Sequence, residues 1–86
     1  MQKECQTGKE FVFKTPDGKE VGRAKSVPDL FALIKSAPLA CVVYHANGKH
    51  FSPWLEMMGE HILSIKAKVV YGNDEKVRTA LLRLSK

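Results

Sequence analysis

Apolar and polar positions change period several times along this chain, and each change predicts an element. The first run is Phe11-Val12-Phe13-Lys14, then Thr15-Pro16-Asp17-Gly18, then Lys19 to Ala24. Pro16 pre-sets φ for a turn, Asp17 tolerates its second position, and Gly18 supplies a positive φ. The pattern predicts a β-hairpin between Phe11–Lys14 and Lys19–Ala24. With Thr15 paired to Lys19, Phe13 faces Val21 and Phe11 faces Arg23. Phe11, Phe13 and Val21 then share one face. A lone hairpin is marginal in water, so that face must pack on helices.

Ser26-Val27-Pro28-Asp29 predicts a helix start: an N-cap hydroxyl, a proline in the first turn and a carboxylate at the third helical position. Leu30, Leu33 and Ile34 follow at helical spacing with Phe31 beside them, and the helix stops near Ser36 because Ala37 precedes Pro38. Residues 39–45, Leu-Ala-Cys-Val-Val-Tyr-His, favour a third strand through Val42, Val43 and Tyr44. A short helical turn is the alternative. Ala46-Asn47-Gly48-Lys49 reads as a turn.

From His50 the period is helical, with Phe51, Trp54, Leu55 and Met58 at i, i+3, i+4 and i+7 and Pro53 in the first turn. Gly59 ends that helix. The next segment holds two periods. Ile65, Ala67 and Val69 alternate with Lys66 and Lys68 as in a strand, yet Ile62, Ile65, Ala67, Val69 and Val70 fill a broad helical face. Helix is preferred, because Lys and Ala favour it. Tyr71-Gly72-Asn73-Asp74 forms a turn and a cap. Val77, Ala80, Leu81 and Leu84 mark the last helix.

The expected architecture is α+β: an N-terminal hairpin, with a third strand if residues 39–45 are extended, packed on about four short helices. One domain spans residues 10–86 after a polar, frayed stretch at residues 1–9. Its core is expected to hold Phe11, Phe13, Val21, Leu30, Leu33, Ile34, Val42, Phe51, Trp54, Leu55, Leu63, Val77, Leu81 and Leu84.

Certain of these residues form a pattern: Phe11-x-Phe13 with Asp17-Gly18, Ser26 with Leu30, Tyr44-His45, Phe51-Ser52-x-Trp54-Leu55, and Gly59-Glu60-x-x-Leu63-Ser64. Over roughly residues 10–70 it resembles an uncharacterised archaeal and bacterial family of small domains. In that family a hairpin introduces a helix, a Tyr/His-His pair precedes an Asn-Asp-Phe-x-x-Trp helix, and Gly-Asp-x-x-Leu-Ala opens the next. The resemblance implies a fold and no activity. His50 stands where the family tends to have Asp, which weakens the expected cap and puts a second histidine near His45. Ser64 stands where it has Ala.

The chain has 86 residues, 44% of them hydrophobic and 27% charged, with net charge +5. That composition excludes a disordered chain and suits one modest core. No apolar run is long enough to span a membrane, and the first residues lack a signal peptide's apolar stretch. A cytoplasmic protein without a membrane partner is expected. Cys5 and Cys41 form no disulfide framework and read as free thiols in a reducing compartment.

Cys41, His45 and His50 lie three and four residues apart, with His61 farther on. Zinc sites need a closed set of four ligands, so no metal is expected. His45 reads as a core histidine whose ring bonds a backbone group and braces the helix near His50. A Cys41 nucleophile is disfavoured by its apolar neighbourhood, and no nucleotide or hydrolase motif is present. No enzyme and no cofactor is expected. Aromatics on a sheet face can stack bases, but core packing is preferred for Phe11, Phe13, Phe31, Tyr44, Phe51, Trp54 and Tyr71. Tyr71 is the aromatic expected to be exposed.

The basic balance is the main functional hint. Residues 61–86 carry six lysines and arginines against two acids. Lys76, Thr79, Arg83 and Lys86 line one side of the last helix, with Lys66 and Lys68 before it. The turn at Gly72 gives the pair of helices a helix-turn-helix outline. The leading expectation is weak, sequence-independent contact between these six residues and a DNA or RNA backbone. Lysines outnumber arginines eleven to three, which argues against base readout. The rival expectation is a protein-interaction or regulatory module using an apolar patch, to which Met57 belongs if exposed.

Overall fold

The structure, a computed structural model, describes residues 8–85. Cys5, Lys86 and most of the stretch expected to fray lie outside the described residues. The elements are β1 (Phe11–Lys14), β2 (Glu20–Ala24), α1 (Val27–Ser36), α2 (Leu39–Asn47), α3 (Phe51–Met57), α4 (His61–Lys68) and α5 (Glu75–Arg83). The fold is α+β, a two-stranded antiparallel hairpin with five helices. The hairpin lays β2 on α1 and β1 on α2, α5 closes over α1 and α2, and α3 pairs with α4.

The hairpin turn forms as its residues predict. The Thr15 N–H donates to the Lys19 carbonyl and the Gly18 N–H to the Thr15 carbonyl, each at 2.9 Å. The register beyond the turn corrects the sequence reading. Phe11 pairs with Ala24 and Phe13 with Gly22, while Lys14 pairs with Glu20, so a bulge inserts Val21 as an extra residue. A bulge turns its extra residue away from the partner strand. Val21 is accordingly exposed rather than in the core. The inner face is Phe11, Phe13, Gly22 and Ala24. A Cβ on Gly22 would sit 3.0 Å from Leu33 Cδ2, so α1 packs where a larger residue would stand.

Ser26 caps α1, its Oγ accepting from the Asp29 N–H at 3.3 Å. The Asp29 carboxylate reaches back to the Lys25 N–H at 3.3 Å. Ala37, forced extended before Pro38, ends the helix with ψ 155°.

Residues 39–45 are helix, not a third strand. Their β-branched residues fit a helix here because Cys41, Val42, His45 and Ala46 bury one α2 face against β1 and α5. Propensity differences of a few tenths of a kcal/mol per residue yield to that burial. The end of α2 is clamped to the loop before α5. The Asn47 side chain donates to the Gly72 carbonyl at 2.8 Å and accepts its N–H at 2.9 Å.

The core holds Phe11, Phe13, Leu30, Ile34, Val42, Phe51, Trp54, Leu55, Val77 and Leu81, joined by Cys41, Met58 and several alanines. Leu33, Leu63 and Leu84, expected in the core, are half-buried at its edge.

Candidate interaction surface

His45 is 4% exposed and sits where β1, α2 and α3 meet. Its ring contacts Phe11, Phe13 and Phe51 with centroids 5.0–5.8 Å away. Nε2 accepts the Lys14 backbone N–H at 2.9 Å. That nitrogen carries no proton, so Nδ1 does, and it donates to His50 Nδ1 at 2.9 Å. Burial, with smaller contributions from His50 and Lys14, pushes the His45 pKa down to about 4. His50 holds this place because residue 48 is glycine: a Cβ there would lie 2.4 Å from His50 Nε2. The pair borders an open cleft of about 240 Å³ lined also by Val12, Lys14 and Tyr44.

The other candidate ligands go elsewhere. Cys41 is fully buried, and burial, then the charge of Asp17, raises its thiol pKa. His61 faces the Glu56 carboxylate at 2.6 Å. Among the described residues no group of three or more His, Cys, Asp or Glu side chains is placed to hold a metal ion.

The basic residues fall into two groups. Lys76, Thr79 and Arg83 are exposed along one side of α5. Lys66 and Lys68 are exposed on α4. Helix α4 packs on α3 whereas α5 packs on α1 and α2, so the two share no extensive contact and do not form a helix-turn-helix unit. Arg78, also on α5, turns to the protein and donates to the Lys35 carbonyl at 2.8 Å, capping α1.

Helix α4 is built inside out. Its buried residues are Ser64 and Ala67. Ser64 Oγ lies 2.8 Å from the buried Ser52 Oγ and 3.0 Å from the Ser52 carbonyl. Small residues and paired hydroxyls let α3 and α4 approach closely. On the other side Ile62 is 65%, Ile65 61% and Val69 69% exposed. At 3.6 residues per turn these three fall within about 60° of arc, opposite Ser64 and Ala67. Lys66 flanks the ridge on one side, Lys68 and His61 on the other. Met57 at the end of α3 and Tyr71 beyond α4 are also exposed, at 46% and 75%.

Sequence periodicity finds the apolar face of α4 but not its direction. The signal was Ser52 with Ser64, two hydroxyls on facing helices that satisfy each other only if both turn inward. Beside the ridge an open cleft of about 440 Å³ is lined by Lys49, Ser52, Pro53, Glu56, Ser64 and Lys68. Lys49 Nζ donates to the Lys68 carbonyl at 3.1 Å, at the C-terminal end of α4. The Glu56 carboxyl is held below its ordinary pKa, chiefly by its bond to His61.

Among the described residues no helix is long and apolar enough to cross a membrane. Compared with protein-family models, with curated proteins and with solved structures, the chain matches none.

Proposed function

We propose that the protein is a cytoplasmic, non-catalytic interaction module that docks onto a protein partner through the outer face of α4. One observation carries this reading: Ile62, Ile65 and Val69 face solvent while Ser64 and Ala67 of the same helix face the protein. Single exposed apolar residues are ordinary, but a helix-long row of them is the usual mark of a docking surface. The lysines beside the row keep it soluble when free.

The test places a photo-reactive benzoylphenylalanine at Ile65 and irradiates living cells. A covalent adduct to a protein is expected, absent when the probe replaces Lys19 in the exposed hairpin turn. No protein adduct at Ile65 overturns the reading.

A second reading is favoured by the exposure of Lys76, Thr79 and Arg83 along one side of α5. That side would lie on the phosphates of DNA or RNA without reading sequence, with Lys66, Lys68 and Lys86 adding charge. Fluorescence anisotropy with labelled duplex DNA and single-stranded RNA tests it. Binding must collapse between about 50 and 200 mM salt and weaken when Lys76 and Arg83 are neutralised.

A further inference from the structure

We infer that the partner seated on the α4 ridge is a second copy of this chain, with the two α4 helices antiparallel. The inference rests on the docking reading above and adds the partner's identity. The distribution of charge along the ridge carries it. On the cleft side, Glu56 bonds His61 at the N-terminal end of α4, and its carboxyl is also drawn on by Ser64 and by the Lys68 charge. At its C-terminal end the Lys49 ammonium reaches the Lys68 carbonyl, and both lysines line the cleft. The two ends are about 10 Å apart along the helix axis.

A two-fold axis crossing the ridge at Ile65 reverses the helix direction and keeps the cleft side of each copy beside the cleft side of the other. Glu56 of one copy then meets Lys68 of the other, twice over. Ile62 packs near the other copy's Val69, and the two Ile65 side chains meet at the axis. Such an interface is self-complementary in charge, as two-fold pairing requires. It also sets the two helix dipoles against each other. Lys66 lies on the far flank near the axis, where its long stem lets the exposed ammonium lean into water.

Other occupants answer this pattern less well. A phosphate backbone or an anionic bilayer carries one sign along its whole length and would meet Glu56 as well as the lysines. The ridge calls for both signs in reverse order, and a reversed copy of the chain supplies them. With three side chains at its centre the interface is at the small end of specific interfaces, so the dimer is weak.

Sedimentation equilibrium of the full chain from roughly 1 μM to 1 mM tests this. A reversible monomer–dimer equilibrium is expected. Ile65→Asp abolishes it while circular dichroism shows the fold retained. Glu56→Lys and Lys68→Glu each weaken association at least tenfold, because each places like charges together across the axis. Mixing these two variants restores a dimer, since the pair is then doubly complementary. A monomer throughout the range, a dimer that survives Ile65→Asp, or a mixture that stays monomeric overturns the inference. Wild-type monomer with Ile65 adducts to a different protein overturns this inference alone. Absence of any protein adduct overturns the docking reading as well.

Discussion

The joint around His45 and the pairing of α3 with α4 solve the same problem in opposite ways. At the joint, Phe11, Phe13, Phe51 and Trp54 bury large aromatic area, and the His45 ring among them has a partner for each nitrogen. Between α3 and α4, two serine hydroxyls and an alanine sit inside while isoleucines and a valine sit outside. The first region spends its apolar residues on folding. The second holds its helices together with small residues and leaves its apolar residues facing solvent. Burial alone therefore does not explain α4, and its outer face is the one we propose for docking.

The largest expected effect comes from removing an aromatic from the joint. Trp54 is 8% exposed and its Nε1 donates to the Lys9 carbonyl at 2.8 Å. Trp54→Ala is expected to cost about 3–5 kcal/mol, enough to unfold a domain this small. Urea denaturation monitored by circular dichroism measures it. A variant with an unshifted midpoint would break the contrast at its buried end.

Acid acts next. The folded His45 pKa of about 4 lies below its unfolded value of 6.5, so the unfolded chain binds this proton more readily. The stability that neutral His45 contributes is complete above about pH 6.5. It is lost as the pH falls from there to about 4. With allowance for solvent on the His50 side, the loss is about 2 kcal/mol. Chemical denaturation across that window should show it in the wild type, and show a smaller slope in His45→Phe. Equal slopes would mean that other groups carry the acid response.

The α3–α4 pair should respond more gently. Ser64→Ala strands the Ser52 hydroxyl and is expected to cost about 1–2 kcal/mol. Adding Ser52→Ala should recover part of the loss, because removing both partners of a buried hydrogen bond is cheaper than removing one. A double variant worse than the single would show that the hydroxyls act separately. The smallest effect is expected at the ridge. At concentrations where the chain is monomeric, Ile65→Ser should move stability by under about 0.5 kcal/mol. A large loss there would place Ile65 in the fold rather than on the proposed docking face, and remove the contrast between the two regions.

Much of the fold was legible because its signals are short-range. The turn at Pro16-Asp17-Gly18, the Ser26 cap, the stop before Pro38 and the apolar stripes of α3 and α5 each follow from a few adjacent residues. The burial of Phe11, Phe13, Phe51 and Trp54 followed from composition, since a chain this small has few other large side chains to bury, and the exposure of Tyr71 followed from its place beside a turn; Tyr44, expected with the core, is exposed and Phe31 only half-buried. The candidate site was legible only in its parts. Lys66, Lys68, Lys76, Thr79 and Arg83 are all exposed, but their division between two separately packed helix groups is a tertiary fact.

By itself, the sequence determined where elements begin and end and which residues can be apolar neighbours within each. The tertiary structure decided which face of each element turns inward. It made residues 39–45 helical because one of their faces meets β1 and α5. It moved the hairpin register by a bulge because α1 packs against Gly22. It turned Ser64 inward because Ser52 waits on the facing helix, and so sent Ile62, Ile65 and Val69 outward. The reason is one of scale. Local propensities differ by tenths of a kcal/mol per residue, whereas burying or stranding a single side chain is worth one to several. Contacts far apart in sequence therefore settle what local preference leaves open.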